Sequence, residues 1–443
     1  MSVDLSSYFA PRHERQDLAA QSFSDTALEM KASKILTISY SVRERIAAGA
    51  DVTQFTVGDF NPKYFPVPDL LKREAQAALA ADQTNYPPAD GLPELRRAVR
   101  DHYERSFGLS YPVESVVVGS GARPVLYAAY QCLINPGEKV LAPAPGWNND
   151  NFSQLVGAEL VTIPSQPENG FMPTADALRP HIEEARLLVI CSPMNPTGTL
   201  IRRRQLEEIC DLIIEENQRR EGAGERLLYL IYDHVYWMLT FDHHQHLTPP
   251  QVRPEMARYT LFSDAVSKCF SGTGLRVGWM VAPPIITAKV KALMTHMGAW
   301  APRPEQLGTA ALLNNPEAIA SFREGFLKKI QARLNMIYEA FSEWKAEGLP
   351  VDVIAPEGAM YLSVKIDLVG APGFPNAESV RVMLLEEGDC AVIPFDCFGD
   401  HVNLGWFRFS VGAVGLDDIQ RCLPKIGAAL RAVQARLTNQ AGE

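Results

Sequence analysis

Two cations stand in a segment that otherwise reads as protein interior: Lys268 and Arg276 in "SDAVSKCFSGTGLRVGWMVAP" (263–283). A lysine among small and apolar residues is either a solvated surface side chain or the centre of the chemistry. Burial shifts its pKa readily, so its amine can act as base or nucleophile. Other reactive types follow short apolar runs. Asp233 closes "LLYLIY" in "DHVY" (233–236), where a carboxylate is costly to bury without a cation or donors. Tyr236, three residues on, can face the same pocket. Asn195 offers a side-chain donor in "SPMNPTGT" (192–199), although turn chemistry alone explains Asn-Pro-Thr-Gly equally well. Trp147 lies in "PAPGWNND" (143–150), either as core or as a cover for a flat heterocycle. "GSGARP" (119–124) is either a tight turn or, through its backbone N–H groups and the following helix, an anion cradle.

These residues need a common platform, and the runs before them supply one. "SVVV", "KVLA", "ELVTI", "RLLVIC", "LLYLIY", "YTLFS" and "RVGWMV" lie between residues 115 and 283 and alternate with helix-length segments. Short β-branched runs bounded by Gly, Pro and polar residues predict strands of an α/β sheet covered on both faces. Ligands bind outside the carboxyl ends of such strands. The chemistry-bearing residues all fall at that edge. The intervening segments predict helices over 124–134 and 203–220, the second ended by "GAG" (222–224).

After about residue 285 the pattern changes to long charged helices (317–348) and short strands at "MYLSVKI" (360–366) and "WFRFSVG" (406–412). This predicts a smaller α+β domain, joined by a strand at "VTQFTVG" (52–58). The expected division is an N-terminal arm with part of the small domain over 1–60, a large domain over 61–310 and the small domain over 311–443.

A formal charge of −10, from 42 basic and 52 acidic residues, argues against nucleic acid as a general partner. The basic runs near 201–221 flank an amphipathic stretch and read as a solvated helix face. No run approaches the roughly 18 apolar residues needed to span a bilayer, and the N-terminal stretch lacks a secretion-signal core. Seven cysteines without a CxxC pair suit a reducing compartment, so a cytoplasmic location is expected. The three histidines of "DHHQH" (242–246) lack i, i+4 spacing and read as a solvated loop, with no metal site expected.

In this order the motifs resemble the pyridoxal 5'-phosphate (PLP) enzymes of the class I/II aminotransferase family, with the aspartate aminotransferase fold. The resemblance rests on "NYPPADGLPELRRAV" (85–99), "MNPTG" (194–198), "DHVY", "SK" (267–268) with "GLRVGW" (274–279), and "RFS" (408–410), and spans 53–412. It implies fold type I: a large domain with a seven-stranded, mostly parallel sheet, plus a smaller α+β domain. It implies that Lys268 binds the PLP aldehyde covalently and shuttles a proton, that Asp233 pairs with the pyridine nitrogen, and that Tyr236 and Asn195 bond the phenolic oxygen. Trp147 would stack on the ring. Gly121, Ala122, Arg123, Ser267 and Arg276 would hold the phosphate, with Tyr86 reaching it from the neighbouring subunit of a homodimer with shared sites. Arg408, with Gly58 and Asn195, would hold the substrate α-carboxylate.

Ala265 stands where the family often has a phosphate-binding serine, and Ser267 or Ser263 could compensate. The first 25–30 residues fall outside the resemblance. The implied activity is ping-pong transfer of an amino group from an L-amino acid to a 2-oxo acid such as 2-oxoglutarate. Arg123 occupies the place of a lysine that contacts the distal carboxylate of acidic substrates, which favours an aspartate-like donor; it could equally serve glutamate only or the phosphate. Arg303 is another candidate cation across a dimer. Aromatic or neutral donors, or a PLP lyase or synthase on the same fold, remain as alternatives.

Overall fold

The computed structural model describes residues 4–9, 18, 21–30, 32–241 and 243–441. All seven apolar runs form strands of one sheet: β1 (Val116–Gly119), β2 (Lys139–Ala144), β3 (Glu159–Pro164), β4 (Ala185–Cys191), β5 (Tyr229–Asp233), β6 (Thr260–Ala265) and β7 (Gly278–Val281). Their order is β1-β7-β6-β5-β4-β2-β3. Strands β2 to β6 pair in parallel, and β7 runs antiparallel to both its neighbours.

Side chains alternate across the sheet, and both faces are apolar. Leu188, Ile190, Leu230 and Phe262 join one core cluster. Leu187, Val189, Ile231 and Leu261 join a second. Burial on both faces is why these strands read as continuous apolar runs. Helices cover both sides, among them α1 (Ala122–Leu133), which follows β1, and Arg203–Ala223, ended by Gly224 in the left-handed conformation.

The small sheet is antiparallel, in the order Ile393–Pro394, Trp406–Ser410, Tyr361–Ile366 and Val351–Val353. The long helix Pro316–Ala346 packs against it and against Leu416–Ala441. The strand expected over 52–58 is shorter than its sequence pattern: only Thr53–Gln54 pairs, parallel to Cys390–Ala391. The reason lies in where the next carbonyls go. Thr56 O accepts from Arg408 Nη2 at 2.6 Å and Gly58 O accepts from Lys268 Nζ, so this backbone serves side chains instead of a ladder.

Of "DHHQH", His246 is buried and His243 exposed, so the imidazoles are split between core and solvent; Asp242 lies outside the described residues. "APRHERQ" (10–16) lies outside them too. Among the described residues no helix is long and apolar enough to cross a membrane.

Candidate active site

A cavity of about 400 Å³ opens at the carboxyl ends of β2, β4, β5 and β6. Its wall brings together Gly58, Ala122, Arg123, Trp147, Asn195, Asp233, Tyr236, Ser267, Lys268, Arg276 and Arg408, drawn from positions 350 residues apart.

Lys268 stands in a one-turn helix, Val266–Cys269, that follows β6 directly. Burial, reinforced by the nearby charges of Arg408, Arg123 and Arg276, pushes its amine down to about 8, against the opposing pull of Asp59. Asp233 ends the neighbouring strand. It is 8% exposed, and among the described residues its carboxylate accepts only from Val235 N, at 3.3 Å. Burial pushes it up to about 7. An acid and an amine therefore face one cavity with their ordinary affinities for protons drawn together, as catalytic groups require.

The anion cradle forms where β1 turns into α1. Gly121 caps the helix at φ +93°, and a Cβ there would collide with the Arg276 guanidinium. Arg276 itself has φ +55°. Its guanidinium donates to Thr273 O at 2.6 Å and Ser120 O at 3.1 Å, and it has no acidic partner among the described residues. It thus lies beside the free N–H groups at the start of α1, ready for a dianion. Arg123 lies over the Trp147 ring, 4.6 Å from its centroid, and burial followed by the charge of Arg276 lowers its pKa.

Arg408 is 2% exposed. Its Nη1 donates to Asn195 Oδ1 at 3.0 Å and its Nε is buried without a partner. Asn195 spends its carbonyl on Arg408, which leaves its amide N–H₂ for a ligand oxygen.

Three sequence candidates stand elsewhere. Tyr86 is 80% exposed, with its ring edge-on to Trp300 at 5.1 Å, outside the cavity. Arg303 Nε donates to Gln83 Oε1 at 3.1 Å, also away from the cavity wall. Of the two serines, Ser267 lines the cavity, whereas the Ser263 hydroxyl is buried in β6 without a partner and does not reach the wall.

Tyr361 and Asp59 are among the wall residues that sequence reasoning missed. Tyr361 places its hydroxyl 2.7 Å from that of Tyr236, and its ring lies under the Arg408 guanidinium at 4.9 Å. Asp59 accepts from Thr273 Oγ1 at 2.6 Å and bears on the charge of Lys268. It also missed one face of the helix Lys34–Ala47, which presents Ile35, Leu36, Ser39, Tyr40 and Arg43 to the cavity. That spacing of one, three, one and three residues is a helical stripe, and was the available signal.

A parallel sheet with one reversed strand, a lysine and an acid at adjacent strand ends, and an arginine-flanked helix start define a class of α/β group-transfer enzymes. The chain belongs to the aminotransferase class I and II family, whose model matches residues 50–426. An aspartate/prephenate aminotransferase of Cereibacter sphaeroides is 31% identical over 398 residues, covering 87% of this chain and 93% of that protein. An aspartate aminotransferase of Bacillus sp. is 29% identical, covering 83% and 89%. Among solved structures, the Thermus thermophilus aspartate aminotransferase with maleate superposes with a TM-score of 0.82 at 26% identity, covering 92% of this chain and 99% of that one.

Proposed function

We propose that this aminotransferase works with PLP held on Lys268 and takes an acidic, aspartate-like L-amino acid as donor and a 2-oxo acid such as 2-oxoglutarate as acceptor, in two alternating half-reactions. The observation that carries the reading is the pairing of Lys268 with Asp233 at adjacent strand ends in one cavity.

The residues fit the cofactor. Among the described residues Asp233 is a buried carboxylate without a countercharge, which a pyridinium N–H would supply. Gly121 leaves no side chain between α1 and Arg276, so a phosphate can reach both. Asn195 N–H₂, Tyr236 and Trp147 suit an oxygen-bearing flat ring. When bound, PLP supplies the electron sink for charge withdrawn from the substrate Cα. Lys268, whose amine is half neutral near pH 8, takes the proton from Cα and returns it. Arg408, which lines the cavity, receives the α-carboxylate, and the 2.6 Å bond to Thr56 O holds its guanidinium in place.

The charge of the cavity supports an acidic substrate. Arg43, Arg123, Lys268, Arg276 and Arg408 line it against Asp59 and Asp233, five basic groups to two acidic. With Arg276 engaged by the phosphate and Arg408 by the α-carboxylate, Arg43 and Arg123 remain as cations that a second substrate carboxylate would meet. Arg123 is our candidate for that contact. The relatives named for aspartate are consistent with it. The exposed Tyr86 supports a homodimer in which each subunit completes the other's site; Arg303 supplies a further cation there. We divide the chain into an arm with part of a small domain (1–60), a large domain (61–310) and a small domain (311–443), and place it in the cytoplasm.

The test begins with a visible absorption band on loading with PLP. Lys268→Ala should lose both band and transamination. Product keto acid should form one-to-one with glutamate when 2-oxoglutarate is the acceptor; keto acid without glutamate would indicate a lyase instead. Arg123→Ala should lower kcat/KM for aspartate by about 100-fold, as for a lost charged contact, and leave alanine nearly unchanged. Equal losses on both donors would refute the acidic assignment.

A further inference from the structure

Behind the cavity lies a buried polar cluster that the chemistry above leaves unused. Along β5 and β6 side chains alternate, so His234 and Asp264 point away from the cavity that Asp233 lines. Asp264 is 1% exposed. Its Oδ1 accepts from Ala265 N at 2.7 Å and its Oδ2 from Trp237 Nε1 at 3.0 Å. Its basic partner among the described residues is His234, 4.0 Å away, whose Nε2 lies 2.6 Å from the Tyr103 hydroxyl and whose Nδ1 lies 3.4 Å from His246 Nε2.

The partners of Asp264 are informative. Trp237 directly follows Tyr236, and Ala265 opens the turn that carries Lys268. Beside this bond the Cys269 thiol donates to Val235 O at 3.2 Å. The turn that presents Asp233 and Tyr236 is therefore stitched to the turn that presents Lys268, from the face opposite the cavity. A buried acid without a cation is an expensive way to fill space, and an apolar pair would pack more cheaply. What it adds is direction: two hydrogen bonds set distance and angle between the turns, which apolar contact does not.

We propose that Asp264 is a positioning residue of the aminotransferase reaction: by bridging Ala265 and Trp237 it fixes the Lys268 amine relative to Asp233 and Tyr236. The proposal rests on the reading of Lys268 as the cofactor-bearing residue. Burial pushes the Asp264 carboxyl well above the usual carboxylate range and the His234 imidazole well below its own, so burial disfavours charge on both.

The experiment compares PLP-loaded wild type with Asp264→Asn, Trp237→Phe and the double variant. The readouts are kcat, donor KM, the pH midpoint of the visible band and thermal stability. Asp264 faces His234, Tyr103, Cys269 and Asp233. Lys268 faces Asp59, Arg408, Arg123 and Arg276, none of which the variants touch.

Displacement of a catalytic amine by a fraction of an ångström should lower kcat about tenfold or more with KM changed by less than about twofold. The pH midpoint should move in both single variants. The double variant should lose no more than the worse single one, because both cut the same bridge. Lower thermal stability with unchanged kcat and unchanged midpoint would overturn the proposal, leaving Asp264 a packing residue. If Asp264→Asn fails to fold, Trp237→Phe decides by the same criteria. A wild type that forms no visible band with PLP would sink the functional reading itself, and would do so before any variant is compared.

Discussion

Asp233→Asn should make the cofactor-free protein more stable, and increasingly so as pH rises. The carboxyl moves from 3.8 to about 7 because it is buried, among the described residues, beside one backbone N–H and no cation. At about 1.4 kcal/mol per pH unit, the charged form costs about 4 kcal/mol in the fold. The sign follows from proton binding. Between pH 4 and 7 the folded chain keeps a proton on Asp233 that the unfolded chain has released. Stability therefore falls as pH rises through this window, and the full cost is present by pH 8. Asparagine has nearly the same shape and no charge to bury. Urea unfolding of the two cofactor-free proteins should show the variant's advantage growing by about 2 to 3 kcal/mol between pH 5 and pH 8. Saturation with PLP should reverse the order, because only the carboxylate gains a countercharge. An advantage that stays flat with pH would refute the claim that Asp233 is a buried acid awaiting a cation.

Two further outcomes follow from the same geometry. Gly121→Ala forces an L side chain to φ +93° and drives a Cβ into the Arg276 guanidinium, so PLP affinity should fall about tenfold or more while the fold persists; spectroscopic titration with PLP checks it, and unchanged affinity would dismiss the cradle. The rate at which the cofactor-free protein captures PLP should rise with pH in a step centred near 8, as the Lys268 amine loses its proton, since burial and three neighbouring guanidinium groups hold it below the usual lysine range. Stopped-flow absorbance measures this rate, and a rise centred near 10 would mean that Lys268 is solvated.

What the sequence revealed and what it hid divide along one physical line. The central strands were legible because burial on both faces favours apolar residues, as in "RLLVIC" and "LLYLIY", and Asp233 and Lys268 stood out against that background. Their partners did not stand out. Asp59 and Tyr361 meet Lys268 and Tyr236 across about 200 and 125 residues of chain, and no local pattern encodes such a meeting. The segment at 52–58 shows the limit most sharply. Its composition promised seven residues of strand, yet only Thr53–Gln54 pairs, because Thr56 and Gly58 turn their carbonyls to Arg408 and Lys268. A backbone recruited to orient a catalytic side chain looks, residue by residue, like one that completes a sheet. The same holds for "DHVY" and "SDAVSK": each announces the residue that faces the cavity, while His234 and Asp264, one position out of phase, pass as interior. Strand alternation guarantees that every catalytic residue at a strand end has such a neighbour on the far face. When that neighbour is ionisable, without a charged partner among the described residues, and bonded to the next catalytic turn, as Asp264 is, it belongs to the site as much as the residue in view.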